Sequence, residues 1–322
     1  MGRRPTQVVV ALPAKNEEQR IAAALEAVDV AARKIFVPVR ALVFVNNTDD
    51  PTVEIVGRAR QQLSGCEIRV QTASLPPDMA NAGTARRSAV DRAFALFGAL
   101  DNDLLLTTDA DARLQPDCLA NMLAAFDAGA DLVLAKLHCV PDPFEPAPLP
   151  AVYLAQRKAE WRHRVRELIE AVRSGHRHFP PAHDDYGGAG IAARVSVYRR
   201  LGGFRAVEFN EDFEFVRSAD HAGLQVNRRS GATIDVLTRS AGRAAGGMAQ
   251  DLSSCASAVA RGLTAAVERH ELTLARVMSL RSHAHAFSDH VGEWESIETA
   301  IAGLERALAT FEHRPTIQEE IS

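Results

Sequence analysis

The run Leu104-Leu105-Leu106-Thr107-Thr108-Asp109-Ala110-Asp111 sets two carboxylates one residue apart at the end of a short apolar stretch. Parallel sheets deliver side chains in this way to the crevice beyond the carboxyl ends of their strands. Two acids so close repel each other unless positive charge sits between them, and a divalent cation with oxygen ligands is the simplest source of it. The chemistry implied is work on a phosphate-bearing substrate. Further along, Asn210-Glu211-Asp212-Phe213-Glu214-Phe215 brings a second acidic pair.

The elements that must position these acids alternate between strand and helix signals. Val8-Val9-Val10-Ala11-Leu12 is β-branched and continuously apolar, as a strand buried on both faces should be, and Pro13 ends it. Asn16 with Gln19 three residues on spells a capping box, and Ile21, Leu25 and Val28 supply the apolar face of the helix that follows. A strand at Ala41-Leu42-Val43-Phe44-Val45 runs into the polar turn 46–51, then a helix through Val53 and Val56. Ile68 to Val70 is a third strand, and Gly83 to about Phe97 a helix carrying Arg86 and Arg87. The strand at Leu104 comes next, then a helix with Pro116 in its first turn and a strand at Leu132-Val133-Leu134. Strands separated by single helices predict a mostly parallel sheet flanked by helices, an α/β fold.

The pattern breaks between Pro141 and Pro150, where five prolines in ten residues exclude helix or central strand. A helix from about Ala151 to Arg173 leads into an irregular stretch with His176, His178 and His183, then the glycine-rich turn Tyr186-Gly187-Gly188-Ala189-Gly190 before a strand and a helix. Beyond about Gly242 the signals are helical, one segment through Leu263, Val267 and Leu272 and another through Ile297, Ile301, Leu304 and Leu308. Apolar positions three and four apart predict a core or interface stripe.

Composition narrows the classes. With 322 residues, 47% hydrophobic and 24% charged, the chain is globular and long enough for one large or two modest domains. A net charge of −4 gives no basic footprint, so nucleic acid is not an expected partner. Cys66, Cys118, Cys139 and Cys255 form no CxxC pair, which fits a reducing compartment and argues against a zinc cluster. The basic start Met1-Gly2-Arg3-Arg4 leads into too short an apolar run for a signal peptide. No transmembrane segment is expected, since no stretch approaches the roughly 18 apolar residues of a membrane span. The expectation is a soluble, cytoplasmic protein.

Taken together, Pro13-Ala14-Lys15-Asn16-Glu17-Glu18, the turn Asn46-Asn47-Thr48-Asp49-Asp50-Pro51-Thr52, Gly83-Thr84-Ala85-Arg86, the Asp109-Ala110-Asp111 pair (a DxD motif), Gly187-Gly188-Ala189-Gly190, and Gly202-Gly203-Phe204 leading to Glu211-Asp212 resemble the family 2 glycosyltransferases of GT-A fold. Order and spacing agree over roughly residues 7 to 240. The resemblance implies a metal-dependent, inverting transfer of a sugar from a nucleotide-sugar donor to a hydroxyl acceptor, with Mg2+ or Mn2+ as cofactor. It implies a nucleotide-sugar-binding half over 1–140, an acceptor-binding half over 141–240 and a helical C-terminal extension over 241–322, whose helices are a candidate homodimer contact.

Expelling a nucleoside diphosphate needs positive charge as the negative charge develops. By the resemblance, Asp111 is the direct metal ligand, with Asp109 contacting sugar, ribose or metal-bound water and Ala110 between them in the donor site. Asp212 is the expected general base, because inversion at the anomeric carbon needs the acceptor hydroxyl deprotonated opposite the leaving group. Glu211 then orients the acceptor or tunes the field. Arg86, at a helix start, is placed to approach nucleotide or phosphate. Pro13, Ala14 and Glu17 resemble the base-and-ribose loop. In the second loop Asn46, followed by Asn47, stands where the family commonly has an aspartate, and an amide both donates to and accepts from a base edge. Gly187, Gly188 and Gly190 would let backbone approach the donor sugar or acceptor. Arg239 and Arg243 resemble the basic segment that meets the diphosphate, and a histidine among His176, His178 and His183 is a candidate third metal ligand.

Rival classes fit less well. An aspartate-nucleophile phosphatase of DxDx[TV] type would not carry Arg113 at that position or place its acids on a fourth strand. A sugar nucleotidyltransferase lacks its glycine-rich basic loop here, and no GxGxxG follows the first strand for dinucleotide chemistry. A non-catalytic GT-A-like binding or scaffold protein has no use for Asp109, Asp111 and Asp212 together.

Overall fold

The structure, a computed structural model, describes residues 4–179, 183, 186–208, 210–228, 230–239, 248–260, 266–268, 294–311 and 313–315. In chain order the elements are β1 (Val8–Ala14), α1 (Ile21–Ala32), β2 (Val39–Asn46), α2 (Thr52–Gln62), β3 (Glu67–Ala73), α3 (Ala82–Phe97), β4 (Leu104–Thr107), β5 (Ala112–Leu114), α4 (Cys118–Asp127), β6 (Leu132–Leu134) and β7 (Lys136–Pro141). There follow α5 (Leu149–Ser174), β8 (Arg177–Phe179), β9 (Ile191–Arg194), α6 (Val195–Arg200), α7 (Glu211–His221), β10 (Val226–Asn227), β11 (Thr233–Thr238), α8 (Met248–Ala260), β12 (Ala266–Glu268), β13 (Trp294–Ser296), α9 (Ile297–Leu308) and β14 (His313–Pro315). These residues fall into two compact units, the first holding 4–141 and 186–237, the second the remainder.

The first unit is built on a seven-stranded sheet of order β10-β6-β9-β4-β1-β2-β3. Only β9 runs against its neighbours β4 and β6; the other strands point one way, as the alternation of elements predicts. β1 is continuously apolar because both its faces are covered. Val8, Val10 and Leu12 cluster with Ile21, Leu25 and Val28 of α1 and Leu119 and Met122 of α4, while Val9 and Ala11 cluster with Val90 and Phe94 of α3 and Phe215 and Val216 of α7. Each such large side chain stabilises the fold by about 1.5–3 kcal/mol relative to exposure. A smaller sheet, β5-β11-β7, anchors the chain as it leaves the acidic pair, with Ala112 opposite Val236 and Leu114 opposite Ile234.

One buried carboxylate sets the start of this frame. Asp103, at the foot of β4, accepts from the Thr6 N–H and hydroxyl, the Gln7 Nε2 and the Leu100 N–H at 2.7–2.9 Å. Burial alone would raise its pKa, yet these hydrogen bonds hold it below the ordinary carboxylate range. They fix Val8 opposite Leu104, and that register carries Thr107 to the same sheet edge as Ala14 and Asn46.

In the second unit, Leu168, Ala171 and Val172 of α5 pack with Leu304 and Leu308 of α9, and Ala151 and Leu154 pack with Cys255 of α8. The apolar stripe Ile297, Ile301, Leu304 and Leu308 is therefore used within the chain. Arg157 pairs with Glu298, and Arg164 with Glu305 at 3.0 Å. Among the described residues, no helix is long and apolar enough to cross a membrane.

Three local expectations are corrected. Asn16 does not cap a helix: it sits at φ 53°, its N–H donates to Thr48 Oγ1 and its Oδ1 accepts from the Asp49 N–H, so it ties two loops, and α1 begins only at Ile21. Pro116 lies ahead of α4 instead of in its first turn. Val267 is in β12, paired antiparallel with Glu295, not in a helix, and Leu263 and Leu272 lie outside the described residues.

Candidate active site

Thr107 ends β4, and the Thr108 N–H donates to Ala11 O, so the chain turns at Asp109 beside the end of β1. The Ala112 N–H closes that turn on Asp109 O at 3.1 Å, and Ala110 is buried beneath it. α3 starts nearby: Asn81 caps it by accepting from the Thr84 N–H. Gly83 donates its N–H to Val207 O, and any Cβ there would collide with the carbonyls of Arg205 and Val207, which binds this helix start to the loop before α7. Gly202-Gly203-Phe204 fixes the other end of that loop. Phe204 is fully buried, 4.7 Å from the Phe215 ring and 5.5 Å from that of Tyr198, and its carbonyl accepts from Arg87.

These elements converge on one buried guanidinium. Arg86 donates through Nε to Glu211 Oε1 (2.8 Å), through Nη1 to Thr107 Oγ1 (2.9 Å) and Gly188 O (2.8 Å), and through Nη2 to Asp109 Oδ1 (2.8 Å). Burial alone would lower its pKa, but Asp109 and Glu211 more than offset that and raise it, so its charge is permanent. Asp212, next to Glu211 in the first turn of α7, accepts from the Gly188 N–H (2.7 Å) and from the Phe213 N–H (2.8 Å). Burial and then the Glu211 charge raise its pKa; Arg86 and the two N–H donors oppose the rise. Asp109, from the acidic pair after β4, and the acidic pair opening α7 thus belong to one network centred on Arg86.

The glycine turn fits that network. A Cβ on Gly188 would land inside the Arg86 guanidinium, and one on Gly190 would press the Ala135 Cβ at 2.9 Å. The need for glycine at both positions is met within the protein.

At the ends of β1 and β2, Ala14 pairs with Val45 on the same edge as Asp109, next to Pro13 and Asn46. Asn46 is buried and donates to Asn47 Oδ1 (3.3 Å). Asn47, at φ 49°, donates to Leu75 O (2.9 Å) and accepts from the Leu75 N–H (3.0 Å), so its amide staples the loop after β3. Glu17 is buried with its carboxylate 4.0 Å from Arg20. Arg239 lies in the second unit, bridged to Pro146; His176 there has its Nδ1 3.0 Å from Ser174 O, and His183 is buried. Arg243 and the side chain of His178 lie outside the described residues.

For a metal, the donor set is carboxylate oxygen. Asp109 shares one oxygen with Arg86 while its side chain stays 39% exposed, and Asp111 is partly exposed. Among the described residues no three His, Cys, Asp or Glu side chains converge into an all-protein cage. That arrangement fits an ion of Mg2+ or Mn2+ type, held by one or two carboxylates and completed by phosphate oxygens and water. A cavity of about 390 Å3 lined by Gln115, Asp117, His138 and Asp235 among others holds none of these residues.

Thr107 and Tyr186 were not singled out from sequence as site residues. The Thr107 hydroxyl carried no signal beyond its place before Asp109; Tyr186, whose ring lies 5.1 Å from that of Phe213, precedes the glycines directly.

The profile of the family described as "Glycosyltransferase like family 2" matches residues 5–273. Among curated proteins, the undecaprenyl-phosphate 4-deoxy-4-formamido-L-arabinose transferase of Serratia proteamaculans (strain 568) is 24% identical over 127 residues, 39% of this chain and 36% of the relative. The chain therefore spans about a third of that relative's length. Among solved structures, it is similar to S. aureus TarS 1-349 in complex with UDP-GlcNAc (TM-score 0.49, 16% identity, 95% of this chain and 71% of that one). It is also similar to the mannosyltransferase PcManGT from Pyrobaculum calidifontis in complex with GDP-Man and Mn2+ (TM-score 0.49, 15% identity, 96% and 87%).

Proposed function

The chain belongs to the glycosyltransferase-like family 2, and on that premise we propose that it transfers a sugar from a nucleotide-sugar donor to a hydroxyl acceptor, one sugar at a time, with inversion and with a divalent metal. The observation that carries this reading is the Arg86 clamp, which holds the Asp109 side of the donor site and the Asp212 side of the acceptor site in a single hydrogen-bonded network.

The donor's nucleotide lies along the carboxyl ends of β1 and β2, against Pro13, Ala14 and Asn46. Asp111 and the open oxygen of Asp109 would hold Mg2+ or Mn2+, which when bound supplies charge to stabilise the departing diphosphate. Asp212 takes the proton of the acceptor hydroxyl. The acceptor oxygen bonds to the anomeric carbon as the bond from that carbon to the diphosphate oxygen breaks, and the nucleoside diphosphate leaves. Burial and the Glu211 charge raise the pKa of Asp212, which makes it a stronger base than an ordinary carboxylate. Arg86, with its guanidinium engaged by protein oxygens, positions Asp109 and the Glu211-Asp212 pair instead of meeting the phosphate.

Thermal shifts with UDP-, GDP-, ADP- and dTDP-sugars, with and without Mn2+, test the donor reading. A ligand at a hundred times its Kd stabilises by about 2.7 kcal/mol. One donor should shift the melting temperature with Mn2+, and Asp111→Ala should abolish the metal-dependent part; no shift with any donor would sink the proposal. The printed name of the curated relative supplies an acceptor arm, undecaprenyl phosphate. A phosphate acceptor is already ionised and needs no base, so Asp212→Asn would spare that transfer and stop transfer to a hydroxyl.

A further inference from the structure

We propose that the exposed ring of Phe213, backed by Tyr186, is the platform on which a pyranose ring of the acceptor stacks. The inference rests on the transferase reading and names the acceptor's chemical class: a glycoside.

Phe204, Phe215 and Tyr198 are 0–3% exposed and pack on one another, whereas Phe213 is 48% exposed. Its one ring neighbour is Tyr186 among the aromatic pairs of the described residues, with centroids 5.1 Å apart and planes at 42°. Exposed apolar residues standing singly need no explanation, but this pair stands at the base itself. The Phe213 N–H donates to Asp212 Oδ1, and Tyr186 is two residues before the Gly188 N–H that donates to Asp212 Oδ2. Each ring is thus tethered within two residues of a backbone group that orients the base. An acceptor hydroxyl within proton-transfer reach of Asp212 brings the rest of its molecule against these rings.

The surroundings select the occupant. Glu214 follows Phe213 directly and is held by Arg217 (2.5 Å) and Arg205 (3.9 Å), so a small apolar island is rimmed by charge. A pyranose has the matching pattern: axial C–H groups make one apolar face that meets the electron-rich face of an aromatic ring, and its hydroxyl edge meets a polar rim. A polyprenyl chain needs a continuous apolar trough, which charged Glu214 and Arg217 interrupt.

The test uses the full chain and methyl glycosides of glucose, galactose, mannose and N-acetylglucosamine as probes. Binding is read by saturation-transfer NMR, and transfer from the donor identified in the thermal-shift panel is read by steady-state kinetics. With the best glycoside, Phe213→Ala should raise the acceptor KM roughly tenfold, leaving the donor KM unchanged. Phe213→Tyr should restore wild-type values, while Phe213→Leu, which keeps bulk without a ring, should remain impaired. An unchanged acceptor KM in Phe213→Ala, or a Phe213→Leu variant equal to wild type, would overturn the stacking role. If wild type binds its donor but no glycoside, or transfers only to undecaprenyl phosphate, the acceptor class is overturned and the transferase reading stands. If no nucleotide-sugar binds at all, both fall.

Discussion

Gly188→Ala is the sharpest probe of the clamp. The new methyl group would occupy the space of the Arg86 guanidinium, which is buried and makes charge-assisted hydrogen bonds to Glu211, Thr107, Gly188 O and Asp109. To relieve the clash the guanidinium must leave, abandoning Glu211, which is itself buried. Removing one partner of a buried pair typically costs 3–5 kcal/mol, since an uncompensated charge is left behind; we expect Gly188→Ala to destabilise by about 3 kcal/mol. That is a large share of the roughly 5–15 kcal/mol that holds a domain together. Urea titration monitored by circular dichroism measures it, with Arg86→Ala and the double variant completing a cycle. Truncating Arg86 removes the three atoms nearest that methyl group, so Gly188→Ala should cost only about 0.5 kcal/mol in that background. Additive losses in the cycle, or a single variant within about 0.5 kcal/mol of wild type, would refute the account of why position 188 is glycine.

Two further outcomes concern pH. Asp103→Asn should destabilise by about 3 kcal/mol at pH 7, because the amide presents donors to the Gln7 and Leu100 N–H groups that Asp103 now accepts from. Since the folded-state pKa of Asp103 is lowered, its contribution is complete above the unfolded value near 3.9 and is lost as pH falls through the folded value; acid titration of stability should be shallower in the variant, and identical acid limbs would contradict this. For activity, kcat/KM should fall on acidification with an apparent pKa above the usual aspartate range, set by Asp212. Glu211→Gln removes the like charge that raises that pKa, so the acid limb should move to lower pH; a limb that stays in place would assign the titration to another group.

What was legible in the sequence follows the range of the forces involved. The buried strands announce themselves through runs of Val, Leu and Ile, and β1, β2, β4 and β6 lie where those runs lie. Asp109 and Asp212 are legible because a strand end and a helix start are local features. Asn16 misled because Asn-x-x-Gln is a local signal that a tertiary contact overrode: Thr48 and Asp49, on another loop, use its backbone and side chain and hold it at positive φ. Arg86 shows the limit of local signals in another way. At a helix start it reads as a cation offered to a ligand, yet Glu211, 125 positions away, and Gly188, 102 positions away, claim its donors. No periodicity encodes such a choice, because a guanidinium's partners are fixed by which segments the sheet brings to one edge. Its glycine neighbour was the available clue: a residue without a side chain leaves room for a ligand or for a large side chain from elsewhere in the chain, and only the fold shows that Arg86 fills that room. The same reasoning explains why Phe213 remains exposed beside it. The clamp is complete without that ring, so the fold gives it no partner but Tyr186 among the described aromatic pairs, and the residue after Asp212 presents an exposed ring where the proposed acceptor would stack.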